Sequence, residues 1–340
     1  MKSINTFLML AVVLLFISPS LSFAEAEVKG NIINQTRVKN SVNMALGKES
    51  KANLGSVKVK NSKVKGMILN TTEGKNKINM AIGNDSKANL NSVDIENSEM
   101  DGVIVNTLKG KTLINAAIGE GSKANLGSVN MEGSKVKNGL IINMPNGKTG
   151  LNMAIGKGAK ANQGSTNMEG SELKNGMIIN MPGGKTSLNM ALGKDAKANL
   201  GSTNMEGGSE IKNGMTVNMP VGQTGLNMAL GKGAKANLGS TNMEGGSEIK
   251  NGMAINMPMS QTSTNIALGK GSKANLGSTN MEGGSEIKNG IAINIPMGQA
   301  VTNIALGKDA KANLGSTNME RGSKLSRAVI NLPAGQAITN

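Results

Sequence analysis

The chain has 340 residues, with 37 Lys and Arg against 22 Asp and Glu, for a formal charge of +15. It has no His, Cys, Trp or Tyr, and its three phenylalanines (Phe7, Phe16, Phe23) all lie in the first 24 residues. This excludes disulfides, thiol nucleophiles, histidine bases and the usual zinc ligands, as well as a thick core built around aromatic rings.

Residues 1–24 read as a secretory signal peptide. Met1-Lys2-Ser3 is a short basic start, residues 7–17 are apolar, and Ser22-Phe23-Ala24 forms an A-x-A-like site before Glu25. The apolar run is shorter than the roughly 20 residues a spanning helix needs. No later segment is apolar enough to span, so the expected location is secreted, extracellular or at the cell surface. Loss of Lys2 with the leader leaves a charge of +14, nearly all of it lysine. That favours diffuse contact with anionic surfaces over bidentate phosphate or base recognition.

Residues 25–340 form one repeat array. Lys-Ala-Asn recurs with its Asn at 53, 89, 125, 162, 199, 237, 275 and 313, which gives eight tandem copies of 36–38 residues. The length changes at two places: KVKG at 63–66 becomes KVKNG at 135–139, and NMEGS at 167–171 becomes NMEGGS at 204–209. Insertions inside a strand would swap its faces. The second place is therefore expected to be a turn, and the first a bulge near the start of a strand.

Within one unit, three strand-and-turn segments are predicted in chain order. The first runs from Lys273 to Met281. The second spans Ile287, Asn289, Ile291, Ile293 and Ile295, which alternate with Lys288, Gly290, Ala292 and Asn294, and it ends at Pro296. The third closes the unit, as at Asn265-Ile-Ala-Leu-Gly269. Gly or Pro interrupts every helical window. The expected fold is all-β, a β-solenoid of stacked rungs held by nearest-neighbour interfaces.

One rung per repeat would stack like charges such as Lys270, Lys273 and Lys288 at ~4.8 Å, which is unfavourable. Two rungs of about 18 residues would double that gap, but no half-repeat is visible, so one rung is the expectation.

Two ladders are expected along the axis. Asn53, Asn89, Asn125, Asn162, Asn199, Asn237, Asn275 and Asn313 form a structural Asn ladder, pairing amide to amide. Lys51, Lys87, Lys123, Lys160, Lys197, Lys235, Lys273 and Lys311 form a basic ladder.

The segment Ala267-Leu-Gly-Lys-Gly-Ser-Lys-Ala-Asn-Leu-Gly-Ser278 resembles the A-[IL]-G-x-x-[AS]-x-A-x-x-G-S repeat of YadA-like adhesin heads, over about a third of each unit. Gly150-Leu-Asn-Met-Ala-Ile-Gly156 is similar to the G-V-N-V-A-A-G core of Fap-type functional-amyloid repeats. Gln223-Thr-Gly-Leu-Asn-Met-Ala229 is one residue short of the curlin pattern Q-x-G-x-x-N-x-A. These resemblances imply a stacked-strand extracellular protein.

The search for chemistry gives no catalytic residue, no metal site and no cofactor. Gly110-Lys-Thr112 and its copies look like the end of a phosphate loop, but the glycine that motif needs is Val105, Ile142 or Ile179. The aspartates (Asp85, Asp94, Asp101, Asp195, Asp309) follow no single phase, and the G-G-x-G-x-D calcium repeat is absent. Recurrent methionines such as Met153, Met168 and Met181 read as flexible apolar filler. Aromatic stacking platforms for nucleic acid are missing, which leaves non-specific, salt-sensitive contact with polyanions.

The first and last copies follow the repeat without a distinct capping sequence, so head-to-tail self-association is the expected partnership. The expected function is a secreted structural protein that stacks end to end into an extracellular fibre or matrix, not an enzyme. The alternative is a non-catalytic surface adhesin whose rigid rod binds anionic surfaces.

Overall fold

A computed structural model describes residues 20–24, 27–47, 49, 51–83, 85–270, 272–306, 308–320, 324–332 and 334–339. Most of the segment read as a signal peptide, residues 1–19, lies outside the described residues. Ser20–Ala24 is described and forms a parallel strand against Ser56–Lys60.

Among the described residues there are strands and turns but no helix. Strands pair in parallel with their copies 36–38 residues away, as in Asn79 with Asn115, Asn152 with Asn189 and Asn227 with Asn265. The fold is a β-solenoid with one rung per repeat, and the eight repeats rise roughly 40 Å at the usual inter-strand spacing.

Each rung holds four strand segments, not three. In the rung that starts at Lys197 they are Lys197–Leu200, Thr203–Glu206, a stretch split into Glu210–Lys212 and Met215–Asn218, and Val221–Leu230. The first joins an eight-stranded sheet and the second a nine-stranded sheet. The last two belong to one bent sheet, whose two arms are continuous in the rungs Glu99–Ile118 and Lys135–Ile155. The stretch Lys273 to Met281 is thus two strands, Lys273–Leu276 and Thr279–Met281. Gly277 breaks it with φ +57°, a conformation that favours glycine, and a Cβ there would lie 3.1 Å from both Pro258 and Pro296.

Both length changes fall where the chain can absorb them. Gly207 and Gly208 sit in a turn with φ +61° and +73°. The inserted Asn138 has φ +46°, and the register shifts there between the strands around Asp101 and Leu140. Asn tolerates this region better than most side chains. The bulge also corrects the reading of Ile287 to Ile295 as one alternating strand. Ile287 is buried, but beyond Asn289 (φ +51°) the phase switches, so Ala292 and Asn294 point inward and Ile291, Ile293 and Ile295 point outward.

The rung is a bent two-layer sandwich. The nine-stranded sheet packs on the first arm through Met205, Ile211 and their copies. The eight-stranded sheet packs on the second arm through a column of alanines that includes Ala191, Ala198 and Ala229. Leucines such as Leu108, Leu113 and Leu126 fill the elbow between them. Alanine keeps the second layer thin enough for buried asparagines to reach across it.

Candidate functional site

Two Asn columns line the interior. In the first arm, Asn143 donates to the Asn180 Oδ1 at 2.8 Å, and Asn180 donates to the Asn218 Oδ1 at 2.9 Å. In the second arm, Asn152 donates to Asn189, and Asn189 to Asn227, each at 2.9 Å. The second amide proton of Asn189 reaches the Ala161 carbonyl at 3.0 Å, tying the arm to the opposite sheet. All six asparagines are fully buried. The amides are thus satisfied from a rung neighbour and from the facing layer, which is the condition for burying them; the exception is the Asn143 Oδ1, which finds no donor among the described residues.

The ladder expected at Asn53, Asn89, Asn125, Asn162, Asn199, Asn237, Asn275 and Asn313 is continuous, with each Nδ2 donating to the preceding Oδ1 at 2.8–3.0 Å. It lies on the outer side of its strands and floors a long groove where the eight- and nine-stranded sheets meet. A second ladder, Asn130, Asn167, Asn204, Asn242 and Asn280, runs beside it. Its first partner is Asp94, which accepts from Asn89 and Asn130 and whose carboxyl burial pushes upward in pKa.

The basic ladder forms one wall of this groove, and a column of glutamates forms the other. Lys197 lies 2.6 Å from Glu206 and 3.6 Å from Glu244; Lys235 and Lys273 repeat the pattern, and Lys311 closes it on Glu320 at 2.7 Å. Burial raises the Glu206 pKa, but Lys197 and Lys160 outweigh it and hold the carboxyl down at about 2. Alternating signs thus remove the like-charge penalty expected of one rung per repeat.

Earlier rungs differ. Glu132 and Glu169 are exposed and make no ion pair among the described residues, and the switch falls at the rung where NMEGS becomes NMEGGS. Glu96 pairs instead with Lys60 and Lys58, and its carboxyl falls to about 2, mainly through the Lys60 hydrogen bond. Among the described residues, Lys51, Lys87 and Lys123 make no ion pair at contact distance, although the Asp94 carboxyl feels the charges of Lys87 and Lys123. Burial, and then the charges of Lys87 and Lys160, lower the pKa of Lys123.

Other features escaped the sequence reading. Lys77 is fully buried inside its rung, where Leu113 stands one rung on, and its ammonium reaches the Val38 carbonyl at 3.1 Å. Burial lowers its pKa. Of the methionine columns, Met168 and its copies from Met131 to Met281 are core, while Met319 in the last rung is exposed, and Met153 and Met181 point outward and remain partly exposed. Asp85, Asp195 and Asp309 share one place after all, a left-handed turn with φ +56° to +59°. The signal for the outward columns was present: in Leu-Asn-Met-Ala-Leu, the residues that alternate with the large apolar ones are Asn and Ala, which suit a thin, laddered interior.

Among the described residues, no group of three or more Asp or Glu stands close enough to hold a metal ion. The lysine wall and Asn floor suit anions, with the open end at Lys51, Lys87 and Lys123. Compared with known proteins, the chain matches no family model, no curated protein and no solved structure.

Proposed function

We propose that the protein is a secreted structural subunit that stacks end to end into an extracellular fibre or matrix. The observation that carries this reading is the polarity of the ladders. Interior amides donate toward the C-terminal rung, as Asn189 does to Asn227, while groove amides donate toward the N-terminal rung, as Asn199 does to Asn162. The upper face of a rung therefore offers the donors and acceptors that the lower face of the next rung needs. Two rods that meet head to tail can continue every ladder, whereas head-to-head contact would oppose like groups. Such a contact is heterologous and does not close, so it propagates. Cleavage after Ala24 would also remove the strand that covers the edge of Ser56–Lys60, leaving a backbone template for another chain.

In this reading the protein catalyses nothing. The carboxylates of the closed groove are paired with lysines, and the chain has no His or Cys to act as base or nucleophile. Intact mass should begin at Glu25, or at Glu27 if cleavage follows Ala26. Electron microscopy and fibre diffraction of that protein should show filaments with a ~4.8 Å axial repeat. A protein that stays monomeric at high concentration for days overturns the fibre.

A second reading, an adhesin, is favoured by one observation: the open end of the groove, where Lys51, Lys87 and Lys123 make no ion pair at contact distance among the described residues. An isolated rod would present this cleft to anionic surfaces.

A further inference from the structure

The outer surface of the second arm is apolar. In the rung of Val221–Leu230 the outward side chains are Leu226, Met228 and Leu230, and in the rung below they are Leu188, Met190 and Leu192. The same three columns run down to Val42, Met44 and Leu46, which are 70%, 54% and 69% exposed. With strands ~4.8 Å apart and alternate residues ~6.8 Å apart, these six rungs make a flat sheet face of several hundred Å2. A solvated protein rarely leaves a contiguous apolar patch that large without a partner.

The borders of the patch indicate which partner. On the elbow side stand Lys148 and Lys185, exposed and without ion pairs among the described residues. On the other side Lys194, Lys232, Lys270 and Lys308 form a row in the turn that follows each strand, exposed and, among the described residues, without ion pairs; Asp195 and Asp309 stand beside them, and the same turn in the lowest rungs carries Glu49, Asp85 and Glu120 instead. Lys157 heads that row and meets Glu120 at 3.3 Å. Pairing this face with the same face of a second copy would set lysine rows against lysine rows. The outer face of the first arm has no such bias, because its border carries alternating pairs such as Lys212 with Glu210 and Glu172.

We propose that the second-arm face docks on the surface of an anionic lipid bilayer, with its apolar columns at the acyl boundary and its two lysine rows among the headgroups. Lysine stems lie along apolar surface while their ammonium groups reach outward, and each lysine near an anionic leaflet adds an increment of affinity. Area and charge then act together, as in interfacial protein segments generally. The contact uses one side of the rod and does not depend on end-to-end stacking.

The test is flotation of the purified full-length mature protein with vesicles of phosphatidylglycerol and phosphatidylcholine, compared with phosphatidylcholine alone. Flotation separates lipid binding from fibres, which sediment, so failure of the fibre reading and failure of this one are distinguishable. The expected result is binding to the anionic vesicles only, weakened by salt. Joint Met153→Asp and Met190→Asp substitution should reduce binding at least about tenfold, and Lys194→Gln or Lys232→Gln about fivefold each. All these side chains point outward, so circular dichroism should be unchanged. Ile142→Asp with Ile179→Asp, on the first arm, should leave binding intact. Equal binding to both vesicle types, no binding to either, or a self-associated dimer abolished by the Met153 and Met190 variants would overturn the proposal.

Discussion

Lys197 stands between two glutamates of successive rungs, 2.6 Å from Glu206 and 3.6 Å from Glu244. Repeated at Lys235 and Lys273, this makes a zigzag of alternating charge along the groove. The 2.6 Å pairs join the two strands of one rung and the longer contacts reach the next rung, so the zigzag belongs to the stack rather than to any one repeat.

The zigzag should make the later repeats acid-labile. The Glu206 carboxyl is held at about 2 in the folded state against an ordinary 4.5. Its stabilising contribution is therefore complete above about pH 4.5 and is lost as pH falls through about 2. Joint Glu206→Gln and Glu244→Gln substitution should destabilise the protein by roughly 1–2 kcal/mol near neutrality and by little at the acid end. Urea denaturation across that window measures it. Glu132→Gln, in an open rung, should have almost no effect.

Replacing Asn189 by Ala should be costly. It leaves an Asn152 amide proton and the Asn227 Oδ1 without partners in the interior, at about 1–3 kcal/mol for each orphaned group. Asn175 makes the same kind of rung-to-rung bond on an exposed edge at φ +50°, and Asn175→Gly, which keeps that left-handed conformation without strain, should lose only a few tenths of a kcal/mol. Equilibrium unfolding of the two variants provides the comparison, and equal losses would refute the interior ladder.

Lys77→Leu should stabilise. The place already holds leucine one rung on, at Leu113, and the substitution removes a buried ammonium whose pKa burial depresses. The gain should be roughly 1 kcal/mol or more near neutrality. Because the folded pKa lies below the unfolded one, the wild-type protein gains stability as pH rises between the two, and the gap to the variant should narrow there. Thermal melts at neutral and alkaline pH check both statements.

Excision should respect the rung. Asn227 and Asn265 are register partners, so removing Met228 to Asn265 joins Asn227 to Ile266 and closes the stack with one rung fewer. Stability should fall by about one repeat-and-interface increment, with the β-spectrum retained. Removing Glu282 to Val301 instead deletes the strand Glu286–Asn294 and part of Met297–Leu306. It leaves the backbone groups of both neighbouring rungs unpaired, and this variant should fail to fold. Circular dichroism and protease resistance separate the two outcomes.

The sequence by itself determined the solenoid, the repeat period and the Lys-Ala-Asn phase, because a stack of equivalent rungs must repeat its residues at the same period. It also located both insertions, since a strand with two distinct faces cannot take an extra residue without a bulge or a turn. Tertiary structure alone decided which face each column occupies. The bulge at Asn289 reverses the phase of the isoleucines beyond it, and the left-handed Gly277 divides what reads as one strand. Both effects act through backbone angles rather than hydropathy. The pairing of Lys197 with Glu206 and Glu244 was equally hidden, because it depends on two strands meeting at an angle across the groove and on the rung above. Like charges at one repeat phase look repulsive along a single column, and only the neighbouring column of opposite sign, placed by the fold, makes them compatible with one rung per repeat.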